Sequence, residues 1–286
     1  MAKINYYKYL KYLLTRKFYY AVARSYPVWY FLVNRESRAL FNQNKPKLDA
    51  VQERIARDLK RRGVATADAK ELLGQEPLVI ELRKFAERAR LSQSAKRGDQ
   101  KQFLTYLLGA TPPEIQTDSP VMACAAHPKI MDAVNAYFGV VSKLHELDLN
   151  ITHVIQPDEN RAGSQRWHRD PEDKKICKVF LYLTDVDETS GPFNYIVGSQ
   201  YGGKWRGLFP QRPPAGNYPP DGAVEKIVPK EDMRAFTGRA GTIIFCDTSG
   251  LHRGGYATGK ERIMLTAGFV TNGCASGPKF RYAPKP

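Results

Sequence analysis

Paired cysteines, long apolar runs and acidic residues near the start are what this 286-residue chain is short of. Its four cysteines, Cys124, Cys177, Cys246 and Cys274, form no C-x-x-C pair. That excludes a zinc ribbon and argues against a disulfide framework in a chain of this size. The longest uncharged stretch of the first segment, Ser25 to Asn34, is only about ten residues and holds Pro27, against roughly 18 apolar residues for a membrane span. The lysines and arginines at 3, 8, 11, 16 and 17 break the pattern of a secretory leader, so the expected setting is the reducing cytoplasm. Low-complexity tracts and internal repeats are absent, and 42% hydrophobic with 26% charged residues is the balance of a folded globular chain.

What is present is a formal net charge of +15, unevenly placed. Residues 1–50 carry ten Lys or Arg against Glu36 and Asp49 alone. Such an excess speaks of partners rather than of fold. In residues 1–45 the basic side chains are interleaved with tyrosines, which suits a helix lying at a membrane interface. The plainer expectation is a helical extension packed on the main domain with a solvated basic face. The charge alone also suggests nucleic acid, but no recognised binding module accompanies it.

Residues 46–148 read mainly as helix. Leu48, Val51, Ile55 and Leu59 recur at helical spacing, as do Ile80, Leu82, Phe85 and Ala89. Gly63 is expected to end the first helix before a short polar connection, and a further helix is expected from Pro128 to about Leu144. From Leu149 the pattern changes to short β-branched and aromatic runs: LNITHVI, KICKVFLYLTDV, PFNYIVGS, AGTIIFCD and RIMLTAGFV. Within KVFLYLT, Val179, Leu181 and Leu183 share one face, and Lys178, Phe180, Tyr182 and Thr184 the other. Strands in series without βαβ spacing indicate an antiparallel sandwich or jelly roll. Residues 201–226 are too rich in Pro and Gly for a strand, and a loop of that length in a compact domain is usually functional.

RWHRDPEDKK places His168 and Asp170 two positions apart, so on an extended chain both project from one face. The sole later histidine, His252, follows the strand-like GTIIFCDTSG. Two histidines and one carboxylate with open positions are the ligand set of non-haem iron(II) oxygenases. Ten residues on, Arg262 begins a strand whose Met264 and Thr266 share its face. A buried arginine needs an anion for its planar fork. His127, His145 and His153 are expected to pack or face solvent, with His153 nearest the barrel mouth. Arg169 should point away from the ligands and either brace the site or meet solvent, while Cys177 and Cys246 are read as small buried hydrophobes.

The ordered parts WHRDPED, KVFLYLTDVDETSGPFNYIVGSQ, GTIIFCDTSGLHRGG and KERIMLTAGF resemble the core of the phytanoyl-CoA dioxygenase family, over roughly residues 149–270. The resemblance implies an α+β fold: a double-stranded β-helix (jelly-roll, cupin-like) core with an N-terminal helical region packed on it. It implies a basic extension at 1–45 and an oxygenase domain at 46–286, helical over 46–148 and β-helical over 149–272. Fe(II), 2-oxoglutarate and O2 are the implied cofactors, with ascorbate helpful in vitro. His168, Asp170 and His252 would ligate the iron, and Arg262 would hold the distal carboxylate of 2-oxoglutarate, with Thr266 or Tyr182 as a second contact. Trp167, Asn194, Trp205 and Arg206 are candidate substrate contacts. The implied reaction hydroxylates an unactivated C–H bond of a small or lipid-like molecule and turns 2-oxoglutarate into succinate. Asp170 argues against halogenation, since related halogenases carry a small residue there. The chain departs from the family at Gln200, where His usually follows Gly-Ser, and at Met264, where a hydroxyl residue often follows the arginine. The alternatives are a barrel that binds ligand or metal without turnover, and a protein that uses its basic start on a membrane surface or on nucleic acid.

Overall fold

In the computed structural model, which describes residues 21–74, 76–92, 96–97, 103–109, 112–155, 162–213 and 216–283, strict polar–apolar alternation decides which way the main sheet faces. The chain opens with a helical turn, Val28–Val33, then α1 (Arg35–Gln43), α2 (Ala50–Arg62), β1 (Val64–Asp68), α3 (Ala69–Leu73) and α4 (Glu76–Leu91). Next come β2 (Lys96–Arg97), β3 (Leu104–Tyr106), β4 (Glu114–Ile115), α5 (Pro120–Ala125), α6 (Pro128–Phe138) and β5 (Lys143–Thr152). The remaining elements are β6 (Cys177–Tyr182), β7 (Phe193–Ile196), α7 (Ala223–Ile227), β8 (Met233–Phe236), β9 (Thr242–Asp247), β10 (His252–Arg253), β11 (Arg262–Val270) and β12 (Arg281–Tyr282).

A seven-stranded sheet runs β1-β9-β6-β11-β5-β3-β2, and a three-stranded sheet runs β10-β7-β8. Their pairings are antiparallel; β12 and β4 form a separate parallel pair. Leu147, Leu149 and Ile151 of β5, Val179 and Leu181 of β6, and Ile263 and Leu265 of β11 face the helices. The opposite rows, including Phe180, Tyr182 and Met264, meet Phe193, Tyr195 and Phe236 of the small sheet. Two cores on the two faces of one sheet follow from the period of two along each strand. The jelly-roll expectation is met, with the helical layer packed on the large sheet's outer face.

Helix α2 starts with a capping box between Asp49 and Gln52 and stops at Gly63, whose φ of 77° is left-handed. A side chain there would collide with the Tyr195 hydroxyl, since an added Cβ would lie 2.2 Å from it. The chain beyond Gly63 is a strand rather than a polar connection: Val64 to Asp68 pair with β9 as the sheet's edge. Alternation is visible in VATAD, but a five-residue run of small residues carries little strand signal by itself. Helix α6 likewise ends at Phe138 rather than Leu144, because Gly139 takes φ 74° and caps it. β5 therefore begins at Lys143, six residues ahead of the sequence boundary at Leu149. The four cysteines are buried and free, as expected for a chain without a disulfide framework.

The first segment packs on the barrel through Trp29, which is fully buried and donates from Nε1 to Asp173 at 2.8 Å. Asp173 also accepts from the Thr271 backbone and hydroxyl, so one buried carboxylate ties residues 29, 173 and 271 together. Residues 1–20 of the basic segment lie outside the described residues.

Candidate metal centre and active-site cavity

His168 and His252 sit opposite each other in an isolated antiparallel bridge, N to O in both directions at 2.9 and 3.0 Å. The bridge brings two positions 84 residues apart to one end of the barrel, and their rings lie 4.1 Å apart. His168 Nδ1 bonds Arg166 O at 2.8 Å, and His252 Nδ1 bonds Gly250 O at 3.0 Å. A carbonyl can only accept, so each Nδ1 carries the proton and each Nε2 carries the lone pair. Both Nε2 atoms are turned toward Asp170, at 3.8 and 3.7 Å from its carboxylate oxygens. The three ligand atoms lie within 4.8 Å of one another, and all three residues are buried.

That donor set fits a divalent metal with open positions. Burial pushes the His252 imidazole down to about 3, helped by the neighbouring His168, which keeps it in the neutral form a metal needs. Burial alone would raise Asp170, but Lys178 and the two imidazoles hold its carboxyl well below the usual range. Lys178 Nζ lies 3.1 Å from Asp170 and 3.0 Å from Glu146, so it bridges two carboxylates. Those acids outweigh burial and hold the ammonium well above its ordinary value. The alternation in sequence puts Lys178 on the inner face with Phe180 and Tyr182, but nothing local marks a role for it. Its role comes from the approach of Asp170 on another segment.

His168 and His252 line a cavity of about 130 Å³ whose lining also includes Arg262, Met264, Thr266, Asn150 and Thr152. Arg262 is 3% exposed; it donates to Thr152 Oγ1 at 3.1 Å and to Gly191 O. Its Nε has no hydrogen-bond partner and no carboxylate pairs with it among the described residues. Burial lowers its pKa, with only the Tyr182 hydroxyl acting against that. A buried cation without a counter-ion is costly and marks a place for an anion. One cavity is thus lined by both histidines and by an arginine that lacks a counter-ion, a setting that suits an anion beside a metal. Asn150 and Thr152 were not singled out from the sequence, although the polar run Glu146, Asp148, Asn150, Thr152 at period two marks them as inward-facing.

Several expected contacts lie elsewhere. The Tyr182 hydroxyl donates to Phe236 O at 2.8 Å and accepts from Phe193 N at 3.1 Å, so it ties the two sheets together and does not line the cavity, whereas Thr266 does. Trp167 has the parity of Arg169, opposite to the ligands; it is buried with Ile196, Val224 and Leu251 and donates to Glu225 at 2.8 Å. Asn194 pairs with Arg253 across the small sheet, while Phe193 and Tyr195 on either side of it face inward. Trp205 donates to Asp232 at 3.0 Å, and Arg206 lines a different cavity. None of these four borders the cavity of the metal ligands. His153 bonds Thr105 at 2.7 Å and Glu261 at 2.6 Å, and His127 serves as the N-cap of α6.

The long loop reaches the site through Tyr218, which no pattern in the sequence singled out. Its ring stacks on His168 at 5.4 Å with 16° between planes, and 45% of it stays exposed. Tyr218→Ala should weaken Mn(II) binding by about 2- to 10-fold and Tyr218→Phe should leave it unchanged, since a stacked aromatic pair is worth roughly 0.5–1.5 kcal/mol. Calorimetric titration with Mn(II) reads the difference, and equal losses in both variants would show that the hydroxyl, not the stack, matters.

Arg169 braces the loop from behind. Its guanidinium donates to five carbonyls: Ser199 and Ser249 at 2.6 Å, Phe209 at 2.8 Å, Leu208 at 2.9 Å and Trp205 at 3.1 Å. Phe209 holds a left-handed φ of 46°, a conformation costly for a bulky residue and maintained here by that bond. Arg169→Ala is expected to destabilise the protein by more than about 3 kcal/mol, because it leaves several buried carbonyls without donors. Urea unfolding and limited proteolysis should show the loss, with new cleavage between residues 201 and 213.

A double-stranded β-helix that gathers two histidines, one aspartate and a buried arginine around one cavity has the architecture of the iron- and 2-oxoglutarate-dependent oxygenases. The chain belongs to the phytanoyl-CoA dioxygenase (PhyH) family, whose model matches residues 45–264. Among proteins of curated function none matches the sequence. Similar solved structures include the epimerase SnoN in complex with Fe3+, alpha-ketoglutarate and nogalamycin RO, at 17% identity and TM-score 0.58, covering 80% of this chain and 87% of that one. EctD from S. alaskensis with 2-oxoglutarate and 5-hydroxyectoine is 17% identical with TM-score 0.56, covering 84% and 91%. The carbocyclase SnoK from nogalamycin biosynthesis is 15% identical with TM-score 0.55, covering 84% and 98%.

Proposed function

We propose that this chain is an iron(II)- and 2-oxoglutarate-dependent hydroxylase of a small or lipid-like molecule, with His168, Asp170 and His252 holding the metal and Arg262 the distal carboxylate of the co-substrate. The observation that carries this reading is the joint lining of one cavity by the two histidines of the His168–Asp170–His252 cluster and by an arginine without a counter-ion. Iron with 2-oxoglutarate supplies the oxidising power, by coupling reduction of O2 to decarboxylation to succinate. The chain's own residues orient and shield. Lys178 fixes one oxygen of Asp170, Thr152 positions the Arg262 fork, and Thr266 lines the same cavity. Phe180, Phe193 and Met264 give the cavity an apolar wall that keeps bulk water out.

Asp170 fills a ligand position that a halide would need, which supports hydroxylation over halogenation. The structures of similar fold include an epimerase and a carbocyclase, so oxidation without oxygen transfer is the competing outcome. With Fe(II) and ascorbate, the protein should form succinate from 2-oxoglutarate slowly even without substrate, and His168→Ala or Asp170→Ala should lose that activity. Absence of 2-oxoglutarate binding in the presence of Mn(II) would overturn the co-substrate assignment and leave a barrel that binds without turnover. Once a substrate is found, a product carrying an atom from labelled O2 separates hydroxylation from epimerisation or cyclisation.

A lipid-like substrate would suit a domain held near a membrane on its cytoplasmic side. Among the described residues no helix is long and apolar enough to cross one. The first segment nevertheless exposes Phe31, Leu32 and Leu40 at 48%, 68% and 50%, close to Arg35 and Arg38. Apolar side chains rimmed by cations are the chemistry of an interfacial contact. Co-sedimentation with anionic vesicles, lost on Phe31→Ser with Leu32→Ser, tests it.

A further inference from the structure

Behind the metal-ligand segment lies a second cavity of about 500 Å³, lined by Arg24, Lys174, Arg206, Tyr201, Gln211 and the guanidinium side of Arg169, among others. Among the described residues it shares no lining residue with the cavity of His168 and His252. Its wall carries four cationic side chains and, among the described residues, no carboxylate. Arg169 spends its donors on backbone carbonyls and Arg24 donates to Pro171 O, while Lys174 and Arg206 reach the cavity from two further segments.

The buried lysine beside the metal site is matched by acids. Lys178 bridges Glu146 and Asp170 there. Lys174 is half-buried as well, yet among the described residues neither it nor Arg206 has an ion pair with an acid. Lys174 is also held in place: Nζ donates to Arg24 O at 2.6 Å and lies 4.0 Å from the centre of the Tyr201 ring. Tyr201 in turn stacks on Tyr26 at 5.6 Å. Burial, followed by the nearby Arg24 and Lys175, pushes the Lys174 ammonium down to about 8, a penalty that a bound anion would relieve. Cations arriving from positions 24, 174 and 206 suit a dianion with several acceptor oxygens better than a single carboxylate.

We propose that this cavity is a binding site for a phosphate-bearing ligand, held chiefly by Lys174 and Arg206 with Arg24 adding positive charge beside them. The site adjoins residues that hold the metal-ligand segment, because Gln211 on its wall donates to Asp170 O at 2.5 Å and to Asp173 O at 3.0 Å. The phosphate belongs either to a soluble phosphomonoester or to a lipid headgroup presented at a membrane, which the strongly basic first segment would attract.

Calorimetric titration of the full chain with inorganic phosphate, without metal, should show one saturable site. Lys174→Gln and Arg206→Gln should each weaken it by about tenfold, and the double variant should abolish it, since a hydrogen bond to a charged group is worth roughly 1.5–3 kcal/mol. Unchanged Mn(II) affinity and an unchanged unfolding midpoint would show that the variants are folded. In a second arm, the chain is sedimented with phosphatidylcholine vesicles, with and without phosphatidic acid. Binding that needs the acidic lipid, weakens in the double variant and is displaced by free phosphate identifies the headgroup as the source. Saturable phosphate binding without vesicle binding identifies a soluble phosphomonoester. Absence of a saturable phosphate site overturns the proposal, and so does phosphate binding that survives in the double variant.

Discussion

Alanine at His168, Asp170 or His252 is expected to weaken Mn(II) or Fe(II) binding by more than about 100-fold. Residues that only orient metal ligands are already worth roughly 10- to 100-fold, and these three supply the ligand atoms themselves. Their Nε2 and carboxylate atoms lie within 4.8 Å of one another, with both imidazole Nδ1 atoms committed to backbone carbonyls. The ligation geometry is thus built before any ion arrives. Calorimetry gives the affinity, and thermal unfolding gives an independent reading. Metal at a hundred times its Kd should stabilise the wild-type chain by about 2.7 kcal/mol and leave the variants unshifted. Asp170→Ala has a further effect that the histidine variants lack: Lys178 loses one of its two carboxylate partners, so this variant should also be the least stable without metal. A metal-induced shift that persisted in all three variants would remove this centre as the binding site.

Arg262→Leu is expected to reduce affinity for 2-oxoglutarate, measured with Mn(II) present, by about 30-fold or more, while metal affinity stays within error. Truncating one side of a buried, hydrogen-bonded charge pair commonly costs about 2–5 kcal/mol. Arg262→Lys should fall between, because it keeps the charge and loses the planar fork. The stability readout discriminates a binding role from a structural one. In the metal-free protein Arg262 is a buried cation with an unpartnered Nε, so replacing it with leucine should leave the unfolding midpoint unchanged or raise it. A large drop would mean that its bonds to Gly191 O and Thr152 Oγ1 hold the fold, and the co-substrate role would then need another residue.

Both predictions concern residues legible in the chain itself, and that legibility has a local cause. His168 and Asp170 share a face because side chains on an extended chain alternate, and Arg262, Met264 and Thr266 do so for the same reason. The same alternation separates Val179 and Leu181 from Lys178, Phe180 and Tyr182, and the two cores divide along that line. A short-range pattern fails where the deciding contact is long-range. VATAD reads as a connection because its edge pairing with β9 lies some 180 residues away. Tyr182 is an alternative second co-substrate contact in the resemblance, whereas its hydroxyl is engaged by Phe236 O and Phe193 N of the small sheet. Trp167, Asn194 and Trp205 stand out by residue type and nearness in sequence, and strand parity or the loop's packing turns each to another face.

The sequence by itself determined the ligand types, their two-residue spacing and the inward row that carries Arg262, since each depends on one segment and a period of two. Tertiary structure decided what those side chains meet. It set His252 against His168 through a backbone bridge, brought Lys178 onto Asp170, and laid Tyr218 over the first histidine. It also folded residues 201–213 onto the back of the barrel, where Arg169 gathers five carbonyls and a basic cavity opens. These contacts join residues from 8 to 84 positions apart, and sheet order, not local propensity, brings them within reach.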